Sequence, residues 1–173
     1  MKDGMQRLTS ICAVILALFL TACSSSSTAY YRYSPSKGGR LVDGRAEVTD
    51  DAPDEVKAAI AAGNRIAGLP YCYGGGRCDG IDSGGYDCSG SASYVLREAG
   101  LLGDWMTSSD FRKYGRSGAG KWITVYARSG HVFLEVAGLR FDTGWHGESE
   151  SGPRWTTKSR PAKGAVLRHP PGL

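Results

Sequence analysis

Two short stretches of this chain carry residue types that can do covalent chemistry together. The first is Tyr86-Asp87-Cys88-Ser89-Gly90, which opens onto helix-like sequence. The second is Ser129-Gly130-His131, which opens onto strand-like sequence. A thiol at the mouth of a helix and an imidazole at the head of a strand are the parts of a cysteine nucleophile–base pair. The first N–H groups of a helix lack intrahelical partners and carry partial positive charge. That charge favours thiolate over thiol, and the thiolate is the attacking species. Without flanking polar residues, Cys88 reads as a small buried hydrophobe; Asp87, Ser89 and Gly90 are not core residues and argue against that.

The chain has three histidines. His169 sits in a terminal Arg168-His169-Pro170-Pro171 run, and His146 lies in the polar stretch Trp145-His146-Gly147-Glu148. His131 is therefore the candidate base. An imidazole that works as a base needs an acceptor for its second nitrogen. Alternation along a strand places His131, Phe133 and Glu135 on one face and Val132, Leu134 and Val136 on the other. If Ala137-Gly138 is a two-residue turn, Val136 pairs with Leu139 and Asp142 falls on the His131 face. A three-residue loop would bring Thr143 there instead, because a slip of one residue exchanges faces. Asp142 is the better acceptor and is the preferred candidate.

The elements that must position these groups follow from pattern. Asp51-Ala52-Pro53-Asp54-Glu55 reads as a helix start, with an Asp cap, a proline in the first turn and acids at the positive end. Val56, Ile60 and Ile66 share a face, and Gly68 and Pro70 stop the helix. Tyr71 to Gly85 is a glycine-rich loop. A second helix starts at about Cys88, with Ala92, Val95, Leu96 and Ala99 as its inner stripe and Gly100 as its end. Trp122–Ala127, His131–Val136, Leu139–Asp142 and Ala165–Arg168 read as strands. Helices first and antiparallel strands afterwards predict an α+β fold with a helix packed on the sheet.

The beginning of the chain has its own pattern. Lys2 and Arg7 precede an apolar run from Ile11 to Leu20, followed by Thr21-Ala22-Cys23. This is a secretory signal layout, too short to span a membrane. Leu20-Thr21-Ala22-Cys23 resembles a bacterial lipobox. The resemblance implies cleavage before Cys23, lipidation of Cys23 and stable membrane anchoring by several acyl chains. Ser24 at the second mature position implies sorting to the outer membrane, facing the periplasm.

The expected organisation is a lipoprotein signal over 1–22, a lipidated flexible linker over 23–49, and one catalytic domain over 50–173. Tyr30, Tyr31 and Tyr33 in the linker are left to pack on the domain or to touch the cell wall. Formal net charge is +4 over 173 residues. Loss of Lys2, Asp3 and Arg7 with the signal takes one positive charge from that +4 and leaves +3. Such mild basicity fits a polyanionic envelope and equally fits solubility. No basic run points to nucleic acid.

Three pieces in order carry a family resemblance: Leu69-Pro70-Tyr71-Cys72-Tyr73-Gly74-Gly75, Tyr86-Asp87-Cys88-Ser89-Gly90 and Ser129-Gly130-His131-Val132. They resemble the NlpC-type family of bacterial cell-wall cysteine peptidases, over roughly residues 59–142. The resemblance implies a papain-like α+β fold. It also implies hydrolysis of peptidoglycan stem peptides, usually between D-γ-glutamyl and a diamino acid such as diaminopimelate. It implies Cys88 as nucleophile, His131 as base, Tyr71 as a hydroxyl near the thiol that helps hold the oxyanion, and Asp87 and Ser89 as readers of the stem's amino end. The Cys88 N–H would contribute to the oxyanion hole. The family's third residue is usually His, Asn or Gln, so Asp142 departs from the pattern, and Ser91 stands where a large apolar residue is common.

Cys72 and Cys78 remain. In an oxidising periplasm they can close a small disulfide loop; free thiols and a metal site are the alternatives. A zinc set of Cys72, Cys78, Cys88 and His131 lacks the usual short Cys-x2–4-Cys spacing, so no metal and no cofactor are expected. The expected partner is peptidoglycan, with a lipid-anchored monomer and no nucleic acid. Two other readings stay open: a cell-wall amidase or transacylase with the same Cys–His pair, and a lipoprotein that binds the wall without cutting it.

Overall fold

The N–H and C=O groups of the His131–Asp142 hairpin are satisfied by a six-stranded antiparallel sheet, and this sheet organises the molecule. The structure is a computed structural model that describes residues 29–77, 84–144 and 151–173. The signal segment with Cys23, and also Cys78 and His146, lie outside the described residues. Among the described residues no helix is long and apolar enough to cross a membrane.

The elements in chain order are β1 (Tyr30–Tyr31), β2 (Gly39–Val42), β3 (Arg45–Val48), α1 (Asp54–Ile66), α2 (Cys88–Glu98), β4 (Arg116–Ser117), β5 (Ile123–Arg128), β6 (His131–Val136), β7 (Leu139–Asp142), β8 (Arg154–Thr156), β9 (Arg160–Pro161) and β10 (Val166–His169). Short 3-10 turns lie at Pro35–Lys37 and Asp110–Lys113. The main sheet has the order β4-β10-β5-β6-β7-β8, and β2-β3 and β1-β9 form two small ladders beside it. The fold is α+β.

Alternation along β6 and β7 sorts the side chains into two layers. Val132, Leu134 and Val136 join Leu139 and Phe141 in a core shared with Val56, Ile60 and Ile66 of α1 and Val95 and Leu96 of α2. His131, Phe133, Glu135, Arg140 and Asp142 take the other face. That second face is also covered. Tyr31 is fully buried on it, its ring edge-on to Tyr126 and to Phe133 with centroids 6.4 Å away in each case.

This cover corrects the reading of 23–49 as flexible linker. From Ala29 onward the described part of that stretch is built into the fold: Tyr31 covers the sheet's outer face, and Ala46 of β3 bonds to Asn64 of α1 and joins the inner core. Tyr31 donates its hydroxyl to the Gly138 carbonyl at 2.8 Å, and burial pushes its phenol pKa up. Lys37 Nζ reaches the buried Glu135 carboxylate at 2.6 Å. The Tyr33 hydroxyl donates to the Gly39 carbonyl. The physical reason is that Tyr126 and Phe133 would otherwise leave an apolar sheet face in water, and a short tyrosine-bearing strand covers it.

The β6–β7 turn has two residues, Ala137 and Gly138, both at positive φ (50° and 86°). This is the backbone a tight hairpin needs to match strand twist. Glycine adopts it freely, whereas alanine costs about 1 kcal/mol. Ala137 is held there by two bonds: its N–H donates to the Trp122 carbonyl at 2.8 Å, and its carbonyl accepts from Gly39 N–H at 2.9 Å. The resulting register pairs Val136 with Leu139 and Leu134 with Phe141. α1 starts at Asp54 behind Pro53, with no side-chain cap, so the Asp cap expected at its start is absent.

Candidate active site

Cys88 is the first residue of α2, and the residue before it fixes the helix mouth. Asp87 is extended and accepts from Gly90 N–H at 2.6 Å, an N-cap bond that satisfies one orphan donor. Its carboxylate also accepts from the Ser89 hydroxyl and from Gly74 N–H, both at 2.9 Å. Asp87 therefore ties the glycine-rich loop to the first turn of α2. That loop runs so close that a Cβ on Gly90 would lie 1.9 Å from the Gly75 carbonyl oxygen. The glycines of both motifs are needed for this approach.

Cys88 is half-buried and lines a cleft of about 230 Å³. Tyr71, Asp87 and Ser89 line the same cleft, with Gly130 next to His131. Tyr71 is aligned there by a bridge to the fully buried Tyr86. Asp87 and Ser89 are each 5% exposed, so both are spent largely on the helix mouth while edging the cleft. The backbone N–H of Cys88 lies in the first helical turn, where intrahelical partners are missing.

His131 bonds to Asp142, and the Cys88 thiol acts on the same imidazole. Nε2 lies 2.9 Å from Asp142 Oδ1. A carboxylate accepts and does not donate, so Nε2 carries the hydrogen and Nδ1 is the nitrogen left for the sulfur. Burial, the strongest influence on the imidazole, lowers its pKa. The bonds to Asp142 and Cys88 and the charge of Asp142 raise it, the charge of Arg160 opposes them, and the net direction is upward.

Asp142 is 1% exposed, and both of its oxygens are engaged. Oδ1 also accepts from Thr143 N–H at 2.8 Å. Oδ2 accepts from Arg160 Nη1 and lies 3.3 Å from Arg140 Nε. Arg140 is fully buried and Arg160 nearly so. Their guanidinium groups rest on the apolar layer, Arg160 5.3 Å from the Phe133 ring centre and Arg140 5.6 Å from that of Tyr31. The carboxylate cannot rotate without breaking charged contacts on both sides.

The sequence reading did not find Arg140 and Arg160. Arg140 was within reach, since it stands two residues before Asp142 on a strand and shares its face. Arg160 was not, because nothing in Lys158-Ser159-Arg160-Pro161 distinguishes it from a polar loop. His169 takes no part: it lies on β10, with Nδ1 3.0 Å from the Gly118 carbonyl. His146 lies outside the described residues. Cys72 is exposed, and its pairing with Cys78, like the zinc set that includes Cys78, falls outside them too. Among the described residues no group of three or more His, Cys, Asp or Glu side chains is placed to hold a metal ion.

No protein-family profile matches the chain, and no curated protein does. Among solved structures it is similar to the P60 domain of an antigen from Mycobacterium avium subspecies paratuberculosis, with 21% identity and a TM-score of 0.49 over 66% of this chain and 93% of that one. A hypothetical invasion protein of Mycobacterium tuberculosis is similar at 22% identity and TM-score 0.48, over 80% of this chain and 71% of that one. An NlpC/P60 family protein from Bacillus cereus is similar at 17% identity and TM-score 0.48, over 74% of this chain and 45% of that one.

Proposed function

We propose that this chain is a cysteine peptidase of the bacterial cell wall that hydrolyses peptidoglycan stem peptides, at the bond between D-γ-glutamyl and diaminopimelate. The observation that carries the chemistry is the His131–Asp142 hydrogen bond, with the Cys88 thiol acting on the same imidazole from the wall of an open cleft. The three motifs that resemble the NlpC-type family supply the substrate class and the papain-like arrangement.

In this reading Cys88 gives its proton to His131 Nδ1 as the sulfur attacks the scissile carbonyl carbon. Asp142 accepts from Nε2–H throughout and stabilises the imidazolium that forms. The oxyanion takes hydrogen bonds from the Cys88 N–H and the Tyr71 hydroxyl. As the tetrahedral species collapses, the C–N bond breaks and His131 returns the proton to the leaving amine. Water then attacks the thioester with His131 as base, which frees the acid and restores the thiol. The reaction needs no metal or other cofactor. Asp87 and Ser89, at the cleft edge, suit the ammonium end of the stem.

The chain acts in this reading as a monomer held to the outer membrane by lipid on Cys23, facing the periplasm. The test is mass spectrometry of muropeptides after incubation with the protein. New products ending in D-glutamate, with diaminopimelate freed at its amine, support the endopeptidase. Glycan freed from L-alanine would instead indicate an amidase with the same Cys–His pair.

A further inference from the structure

Arg77 stands on the wall of the Cys88 cleft, exposed to solvent. Its guanidinium lies over the Trp105 ring, 4.0 Å from the ring centre. Among the described residues it forms no ion pair, so its charge is not spent within them. The one carboxylate among the cleft-lining residues, Asp87, already accepts from Gly90 N–H, the Ser89 hydroxyl and Gly74 N–H. Ser108, on the same wall, makes no hydrogen bond among the described residues and adds a hydroxyl donor.

A guanidinium stacked on an indole is held by its face, which leaves its N–H edge to bind. That edge presents two parallel donors, the geometry a carboxylate accepts in a bidentate pair. The stacking limits the motion of an otherwise flexible side chain, so less freedom is lost when a ligand binds. Arginine is more weakly hydrated than lysine and suits a partly closed cleft.

We propose that Arg77, laid on Trp105, with Ser108 lining the same cleft, forms a subsite for a carboxylate carried by the substrate on one side of the scissile bond. The identity of that carboxylate rests on the proposed function. A γ-linked D-glutamyl unit keeps its α-carboxylate free, and diaminopimelate brings a second carboxylate of its own. The glutamate α-carboxylate lies nearer the bond that is cut, and the distal diaminopimelate carboxylate extends from the other side of that bond along its side chain. Amidation of the carboxylate that Arg77 reads removes its charge and one acceptor, so an amidated stem peptide binds less well.

The experiment measures binding to the full chain carrying Cys88→Ala, with Arg77 intact or changed to Gln. The probes are the tripeptide L-Ala-γ-D-Glu-diaminopimelate, the same peptide amidated at the glutamate α-carboxyl, and the same peptide amidated at the distal diaminopimelate carboxyl. With Arg77 intact the free acid binds about ten- to a hundred-fold more tightly than one of the two amides, the range for a hydrogen bond to a charged group. Which amide binds weakly identifies the carboxylate that is read. Arg77→Gln removes the ratio and leaves binding of that amide unchanged. Equal binding of all three peptides, binding of none, or an equal loss on all three in Arg77→Gln overturns the subsite. Cleavage by the wild-type chain is read separately. A chain that binds with the expected ratio and cuts none of the peptides keeps the subsite and loses the proposed function.

Discussion

Asp142 Oδ1 lies 2.9 Å from Nε2 of His131, across a hairpin whose two-residue turn sets which side of the sheet Asp142 occupies. The relationship depends on parity. One more residue in the turn would put Thr143 in that place and send the carboxylate to the core side. The turn in turn depends on Gly39, whose N–H holds the Ala137 carbonyl and whose own Cβ, if present, would sit 2.3 Å from that oxygen. The N-terminal segment thus supports the geometry of the site from behind.

Replacing Asp142 by Asn removes the charge that faces two buried guanidinium groups. Breaking a buried ion pair by removing one partner costs about 3–5 kcal/mol, because the partner's charge is left uncompensated. Asp142→Asn is therefore destabilised by about that amount in urea unfolding, far more than a change in imidazole orientation would cause. Adding Arg160→Met recovers part of the loss, since one of the stranded charges is gone. Full stability in Asp142→Asn would contradict the buried cluster. The same substitution moves the His131 titration, followed by NMR, to lower pH, because Asp142 raises the imidazole pKa through its bond and its charge.

The raised pKa of His131 also links stability to pH. The folded state holds the proton to higher pH than the unfolded chain, whose histidine titrates near about 6.5. Its contribution to stability is therefore complete below about 6.5 and is lost as pH rises through the folded value. Thermal unfolding of wild type across this range shows a fall with rising pH that is smaller in His131→Gln. A slope of the same size in both proteins would show that His131 is not its source.

Tyr31 tests the N-terminal cover. Its ring is fully buried against Tyr126 and Phe133, so Tyr31→Ala costs about 3 kcal/mol or more, as other buried aromatic-to-alanine changes do. Tyr31→Phe keeps the ring and loses the bond to the Gly138 carbonyl, at about 1 kcal/mol. A Tyr31→Ala protein as stable as wild type in denaturant would return this segment to the role of a tether.

What could be read from the residues and what could not divide along contact range. The strands His131–Val136 and Leu139–Asp142 have the limits their apolar alternation predicts, and α2 begins at Cys88 where Asp87 supplies the cap. The Tyr71–Gly85 stretch was legible as a glycine-rich loop, but the close approach between Gly75 and Gly90 that those glycines permit is a long-range contact that only the structure places. The β1–β9 ladder, with Tyr31 opposite Arg160, gave no sign in the residues. Each of its strands has two residues, too few for any periodicity, and they pair across most of the chain. Arg160 could not be placed beside Asp142 for the same reason. The roles assigned to Cys88, His131, Asp142, Tyr71, Asp87 and Ser89 rest on chemistry and need the reaction itself.

The most direct measurement compares wild-type protein with Cys88→Ala on purified peptidoglycan, with products read by mass spectrometry and folding checked by circular dichroism. The substitution is small and sits at a helix start, so the fold is retained. The account predicts cleavage between D-glutamate and diaminopimelate by wild type and none by folded Cys88→Ala. Turnover at the wild-type rate by folded Cys88→Ala would contradict it.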